Sequence, residues 1–133
     1  MRGFLTVFAG MALAMAVSGS ALAEEAGDPA KGKKIFARCQ ACHTLNEGGG
    51  NRIGPNLHGI FGRPAGSLES FTYSKGMTAK AEEGLVWTEE TITEFLRKPS
   101  AFVPGSSMAF PGLRKDEDLA NLIAYLKTET GTE

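Results

Sequence analysis

The sequence lacks several features that define common functional classes. It has no run of basic residues and no basic–aromatic stripe, and its 14 Lys and Arg side chains stand against 15 Asp and Glu. This balance argues against a nucleic-acid-binding protein. Strand-type alternation of polar and apolar residues is scarce, which argues against a sheet-based domain. No internal repeat or low-complexity block is visible either.

Uncharged apolar residues are concentrated at the N-terminus. A positive start (Met1–Arg2) precedes an uncharged run over residues 4–17, and small residues follow up to Ala21-Leu22-Ala23. This order is typical of a secretory signal peptide. The run of about 14 residues is shorter than the ~20 of a spanning helix, so a retained anchor is the less favoured alternative. We expect residues 1–23 to be cleaved, leaving residues 24–133 as one exported domain.

Two helices are expected in the first part of that domain. Asp28 and Pro29 form a typical helix start, as N-cap and first helical residue, and predict a helix that continues to about Cys39. A short helix is predicted over residues 78–83. The side chains expected on one side of the first helix are Gly32, Ile35, Phe36 and Cys39.

Two further helices are expected towards the C-terminus. One begins after Thr88 and ends before Pro99. The other starts at Asp116–Asp118, whose negative charge suits a helix N-terminus, and ends before Gly131. Its apolar residues recur at i, i+3, i+4 and i+7, namely Leu119, Leu122, Ile123 and Leu126. The sequence therefore predicts an all-α domain.

Long irregular segments separate these helices. Residues 46–51 are rich in glycine, and residues 54–74 are rich in turn formers. A domain of this size cannot easily close its core with so much irregular chain. A large apolar cofactor would supply a surface for the loops to cover.

The two cysteines of the chain, Cys39 and Cys42, are followed directly by His43. Cys-x-x-Cys-His is the attachment pattern of c-type haem. Two thiols three positions apart can each add to one vinyl group, and the next residue can then direct its imidazole at the iron. Three alternatives compete: a structural disulfide, a thioredoxin-like redox pair, and a zinc site completed by His58. The first leaves the histidine unexplained, the second lacks its βαβ context, and the third lacks the usual ligand spacing.

The other face of the iron needs a second ligand or an open position. His58, Met77 and Met108 are the candidates in the mature chain. Met108 follows Pro104 and Gly105 in a turn without helical periodicity, where a methionine placed only for packing is unexpected. Met77 lies beside a helix start, and His58 lies only three residues after Pro55.

At these positions the chain resembles the class I cytochromes c. The resemblance rests on Gly54–Arg63, Phe71–Tyr73, Trp87, Lys98-Pro99, the turn that ends at Met108, and Leu122–Leu126. These pieces follow the family order from about Gly27 to Lys127, and the spacing from Tyr73 to Trp87 is similar to that of bacterial cytochrome c2. The resemblance implies the cytochrome c fold, in which the first and last helices cross and long loops surround one covalently bound haem.

The resemblance also implies a role for each matching residue. His43 and Met108 would be the two axial ligands of the iron, and the Pro55 carbonyl would accept a hydrogen bond from the His43 ring. Cys39 and Cys42 would form the haem thioethers. The residues implied to bind the haem propionates are Arg63, Tyr73, Trp87 and Ser106. Those implied to wall the haem are Leu57, Leu96 and Phe110, and those implied at the helix crossing are Gly32, Phe36, Leu122 and Tyr125.

The chain departs from the family pattern in two places. Phe95 stands where many members have a tyrosine, so a hydroxyl near Met108 is missing. Mitochondrial relatives also ring the haem edge with lysines, and this chain has only Arg38 and Arg52 there. The positions without a charge are Ser100, Ala101 and Ser107. Electrostatic steering towards an acidic partner should therefore be weaker than in those relatives.

These observations predict a soluble, monomeric, periplasmic electron carrier with one haem c and no enzymatic activity. It would take one electron from a quinol-oxidising membrane complex and give it to an oxidase, a reductase or a photosynthetic reaction centre. No nucleic acid and no small-molecule substrate is expected. The alternatives are a haem enzyme or gas binder with an open iron site, and a structural or thiol-based role.

Overall fold

The computed structural model describes residues 26–131, together with Gly3 near the N-terminus. The predicted cleavage site after Ala23, and the predicted signal segment apart from Gly3, lie outside the described residues. Five helices follow one another along the chain: α1 (Pro29–Phe36), α2 (Lys75–Glu82), α3 (Glu89–Arg97), α4 (Pro99–Phe102) and α5 (Asp116–Thr130). Within residues 26–131 there is no strand, which confirms the predicted all-α class.

Helix α1 begins as predicted and ends earlier. The Asp28 side chain accepts a hydrogen bond from the Ala30 amide at 2.9 Å, and Pro29 occupies the first helical position, where its missing N–H costs nothing. The prediction that α1 continues to Cys39 is wrong, because the helix stops at Phe36. The chain then tightens into turns, with the Cys39 amide donating to the Phe36 carbonyl at 2.7 Å.

The middle helices depend on caps and on one proline. Ser74 caps α2 by accepting from the Met77 amide, so this helix starts three residues before the predicted position 78. Thr88 caps α3 as predicted, in a reciprocal capping box with Thr91. Pro99 does more than end α3, because its fixed φ also suits the first turn of α4, a helix that was not predicted.

The first and last helices cross with their backbones in close contact. A Cβ atom built on Gly32 would lie 2.0 Å from the Asn121 carbonyl oxygen of α5, so only glycine fits there. Asn121 is itself buried, and its side-chain oxygen accepts from the Asp28 amide at 2.7 Å. The rings of Phe36 and Tyr125 pack beside this crossing at 5.6 Å between centroids. The α1–α5 contact thus closes one side of the core.

Helix α3 runs antiparallel to α5 and packs beside it. Arg97 at the end of α3 pairs with Asp116 at the start of α5, with 2.8 Å between Nη2 and Oδ1. At the opposite ends, Lys127 pairs with Glu89. Exposed pairs of this kind contribute little to stability, so the buried side chains of both helices must hold them together. Those are Ile92, Phe95 and Leu96 of α3 and Leu119, Leu122, Ile123 and Leu126 of α5.

The chain forms one isolated antiparallel β-bridge among the described residues. Pro64 and Val86 form an isolated bridge, and the flanking Trp87 amide donates to the Arg63 carbonyl at 2.9 Å. This contact brings together two residues that are more than 20 positions apart in sequence.

No helix among the described residues combines the length and apolar character needed to cross a bilayer.

Gly32→Ala should destabilise the protein although alanine is the better helix former by about 1 kcal/mol. The added methyl would meet a helix backbone that cannot rotate away. We expect a loss of about 1–3 kcal/mol in the free energy of unfolding, as for other overpacked sites. Guanidinium titration of the haem-loaded protein measures it as a lower midpoint at an unchanged slope.

Gly50→Ala is the matched control, because a Cβ at Gly50 meets nothing within 4 Å. Its stability should stay within about 0.5 kcal/mol of the wild type. An equal stability of Gly32→Ala and the wild type would contradict the close crossing.

Candidate functional site

The two thiols and the imidazole are presented by a single tight turn after α1. The amides of Cys42 and His43 both donate to the Cys39 carbonyl, at 3.0 and 2.9 Å. Residues three apart in such a helical turn lie on the same side of the chain. Neither cysteine is in a disulfide, and each is half-buried. The turn therefore holds two free thiols and one imidazole in a compact group.

The environment of Cys39 differs from that of a reactive redox thiol. Burial raises the pKa of the Cys39 thiol, and the nearby Arg38 opposes this only in part. Catalytic thiols have lowered pKa values in electropositive, partly exposed sites. The thiol-exchange alternative is thus disfavoured by the surroundings of Cys39.

The segment after the glycine-rich loop fixes the imidazole of His43. Its Nδ1 lies 2.7 Å from the Pro55 carbonyl oxygen. A Cβ built on Gly54 would lie 2.3 Å from Cε1 of the ring, so the backbone of Gly54 packs directly on the imidazole. The Gly54 amide also donates to the Cys42 carbonyl at 2.9 Å. Backbone groups thus hold the ring from two directions.

These contacts determine which nitrogen of His43 is available. A carbonyl oxygen can only accept, so Nδ1 carries the proton. Burial lowers the pKa of the ring, which the Pro55 carbonyl opposes, and the ring is therefore neutral. Its Nε2 then has a lone pair for a metal, as in other histidine ligands held by a second hydrogen bond.

The loop that carries Met108 starts from the most deeply buried side chain of the described core. Val103 is fully buried, and its carbonyl accepts from the Ser106 amide at 3.0 Å. Gly105 between them has φ +79°, a conformation that favours glycine. The Ser106 hydroxyl accepts from the Met108 amide at 3.2 Å. Met108 is half-buried and packs against the core cluster.

Arg63 is a half-buried cation without an acidic partner. Its guanidinium donates to the carbonyl oxygens of His58 and Asn56, at 3.2 and 3.0 Å. Among the residues from 26 to 131, no carboxylate lies within ion-pair distance of it. Burial lowers the pKa of Arg63, and the neighbouring Tyr73 opposes this shift. A cation in such surroundings is stabilised by an added anion.

The other residues implied at the site include hydrogen-bonding side chains and apolar side chains. Tyr73 accepts from the Leu68 amide at 3.2 Å through its hydroxyl. Trp87 is buried and packs on Phe95 at 5.2 Å between ring centroids. Phe95 also contacts Phe102, so apolar rings lie on both sides of it. The three expected wall residues belong to or pack on the same core: Leu57, Leu96 and Phe110.

No role was expected for Asn56, yet its side chain links several parts of the loop. It donates to the Thr44 hydroxyl at 2.7 Å and to the Asn46 carbonyl at 3.0 Å, and it accepts from the His58 amide. It thereby connects the chain just after His43 to the segment that holds the imidazole. The only sequence signal was an amide side chain directly after Pro55, which is common in turns.

The ring of His58 contacts the chain two residues after His43. Its Nδ1 lies 3.2 Å from the Leu45 carbonyl oxygen. Across the described chain, no group of three or more His, Cys, Asp or Glu side chains is arranged to hold a metal ion. The four ligands of the alternative zinc site are thus not brought together.

The donor set fits a covalently bound haem. Two free thiols precede an imidazole with an available Nε2, and a guanidinium without a carboxylate partner lies on the segment that follows. Haem has two vinyl groups for the thiols, an iron for the imidazole and anionic propionates for a cation.

The sequence is similar to those of known proteins. The Cytochrome c family model matches residues 29–130. A cytochrome c2 of Afifella marina is 50% identical over 99 residues, which cover 74% of this chain and 80% of that protein. A cytochrome c of Stellaria longipes is 50% identical over 105 residues, covering 78% and 94%. A cytochrome c2 of Agrobacterium tumefaciens is 49% identical over 100 residues, covering 75% and 90%.

The match spans nearly all of the described residues, and it includes the cysteine turn, the segment of Pro55 and the loop of Met108. Identities near one half over about 100 residues agree with the predicted resemblance to class I cytochromes c. The chain belongs to the cytochrome c family and is a monohaem electron carrier that binds haem c covalently through a Cys-x-x-Cys-His motif.

Proposed function

We propose that this protein is a diffusible one-electron carrier with a six-coordinate iron whose axial ligands are His43 and Met108. The observation that supports this best is the 2.7 Å contact between His43 Nδ1 and the Pro55 carbonyl, because it leaves Nε2 as the metal-binding nitrogen. Cys39 and Cys42 form the two thioethers. The bound haem supplies an iron that cycles between two oxidation states.

The surroundings of the two proposed ligands would hold both side chains in place at the haem. His43 is held by backbone groups on two sides, and Met108 approaches from a loop anchored at Val103. A thioether ligand in a buried site raises the reduction potential relative to two histidines. If His43 and Met108 both bind the iron, they would leave no position for a substrate, which favours a carrier over an enzyme.

The polar and apolar residues around the ligands have separate tasks. Arg63 provides a positive charge for the propionates, and its desolvation is offset by that pairing. Tyr73, Trp87 and Ser106 would provide further hydrogen-bond donors to the propionates. The apolar wall excludes water from the iron, which limits solvent reorganisation during electron transfer. Its members are Leu57, Leu96 and Phe110.

Met108→Leu tests the ligand assignment with little change in volume. We expect the variant to keep its covalent haem and to lose the methionine–iron charge-transfer band of the oxidised protein. The reduced variant should bind carbon monoxide, which the reduced wild type should not bind. Absorption spectra of both oxidation states, with and without carbon monoxide, measure these changes.

Met77→Leu is the matched control, since Met77 also packs on the core and undergoes the same exchange. It should keep the charge-transfer band. A wild type that binds carbon monoxide, or a Met108→Leu protein that keeps the band, would contradict the assignment and favour an open or differently ligated iron.

We also propose where the protein works and what it meets there. The N-terminal pattern supports export to the periplasm and cleavage after Ala23. The partners are membrane redox complexes: a quinol–cytochrome c oxidoreductase as donor, and an oxidase, reductase or reaction centre as acceptor. The protein docks as a monomer. Each encounter is brief and buries a small area, as redox encounters usually do.

The proposed docking surface has neutral residues at several positions where lysine-rich relatives carry a charge. Arg38 and Arg52 are exposed there, and Arg52 Nη1 donates to the Gln40 carbonyl at 2.9 Å. The neutral positions Ser100, Ala101 and Ser107 are also exposed. Steering towards an acidic partner therefore depends on fewer positive charges than in lysine-rich relatives.

Ser100→Lys should accelerate the reaction with an acidic partner. At low ionic strength we expect the second-order rate constant for reduction by a quinol–cytochrome c oxidoreductase to rise about two- to fivefold, and the gain to vanish at high salt. Stopped-flow measurements over a series of ionic strengths give this dependence.

Thr128→Lys adds the same charge at an exposed position of α5 and is the control for net charge. Its effect should be smaller than that of Ser100→Lys. Equal acceleration by both variants would show that docking does not involve the surface around Ser100.

A further inference from the structure

The N-terminus of α2 lies directly against the loop that carries Met108. A Cβ built on Gly76 would lie 2.1 Å from the Pro104 carbonyl oxygen and 2.6 Å from the Gly105 carbonyl carbon. From the other side, a Cβ on Gly105 would lie 3.5 Å from the Gly76 Cα. Both sides of this contact are backbone, so neither can move aside by rotating a side chain.

The Met108 loop has few other backbone restraints. It is anchored at Val103, whose amide donates to Pro99, and again at Leu113, whose amide donates to Leu96. Between these anchors, residues 107–112 form no backbone–backbone hydrogen bond with any described residue. At the far end of the loop, a Cβ on Gly112 would lie 2.3 Å from the Arg97 carbonyl oxygen, so the backbone is also restrained there. Around Met108 itself, the position of the loop depends on side-chain packing and on what lies against residues 104–105.

Helix α2 is well placed to restrain this loop without being part of the main core. None of its residues is fully buried. A Cβ on Gly66 would lie 2.9 Å from the Ala81 Cβ, which places the end of α2 against a neighbouring turn. Lys80 Nζ lies 5.9 Å from the centre of the Phe102 ring, just before the loop. The helix thus contacts the Gly66 turn at one end and the Met108 loop at the other.

We propose that Gly76 is a positioning residue for Met108: its missing side chain lets the Pro104–Gly105 backbone lie close enough for the thioether to reach the iron. This inference rests on the proposed ligand role of Met108. A side chain at position 76 would have to move the Pro104 carbonyl by about 1 Å, from 2.1 Å to an ordinary contact distance of at least 3.0 Å. A metal–ligand bond tolerates far less displacement than that.

Gly76→Ala tests the proposal because helix propensity and the loop contact predict opposite results. Alanine favours α2, so a merely structural role would leave the haem unchanged or the helix more stable. We expect instead a weakened methionine–iron charge-transfer band in the oxidised holoprotein. Imidazole, used as a competing ligand, should bind the variant about tenfold more tightly than the wild type. The reason is that the loop position in which Met108 reaches the iron is less populated.

Thr78→Ala is the matched control on the same helix. Thr78 is exposed, and the change also adds an alanine to α2. Its charge-transfer band should equal that of the wild type, and its imidazole affinity should stay within about twofold. Gly76→Ala with wild-type band and imidazole affinity would overturn the proposal.

A measurement on the wild type tests the proposal even if the Gly76→Ala variant does not fold or attach its haem. Saturation with imidazole should displace Met108 and release the loop from α2. Hydrogen exchange in residues 75–82 should then accelerate about tenfold while α5 stays protected. Unchanged exchange in α2 would also overturn the proposal. A wild type that lacks the charge-transfer band would instead refute Met108 as a ligand, and the two failures are thus distinguishable.

Discussion

The fixed imidazole of His43 is the constraint on which the rest of the site depends. The ring is held at Nδ1 by the Pro55 carbonyl and on its face by the backbone of Gly54, while its own chain is locked to Cys39 by the turn after α1. These contacts join two segments that have no regular structure of their own. Residues 54–55 therefore support the imidazole although they lie in no helix.

Several glycines allow close approaches in this fold, and three of them shape the elements around the site. Gly32 allows α1 to touch α5, Gly54 allows the chain to pack on the imidazole, and Gly76 allows α2 to contact the Met108 loop. At each position a Cβ would lie within 2.5 Å of a neighbouring atom. Electron transfer benefits from such rigidity, because a site that changes little between oxidation states has little to reorganise.

The sequence predicted the parts of the structure that depend on neighbouring residues. The start of α1 at Pro29, the cap of α3 and the extent of α5 follow from local signals, and the structure agrees with them. It did not predict α4, because Pro99 reads as a helix end unless the following turn is known. Gly76 could not be predicted either, because its contact with the Pro104 carbonyl joins residues far apart in sequence and local residue patterns do not reveal it. The ligand and propionate roles came from family resemblance and remain proposals.

We expect the attached haem to organise the irregular chain, since fewer than half of residues 26–131 lie in helices. The most direct test is equilibrium unfolding of the Cys39→Ser/Cys42→Ser double variant purified without haem, followed by circular dichroism and by the fluorescence of the single tryptophan, Trp87. The account predicts weak helicity and no cooperative transition. A cooperative transition with a denaturant slope close to that of the haem-loaded protein would contradict it.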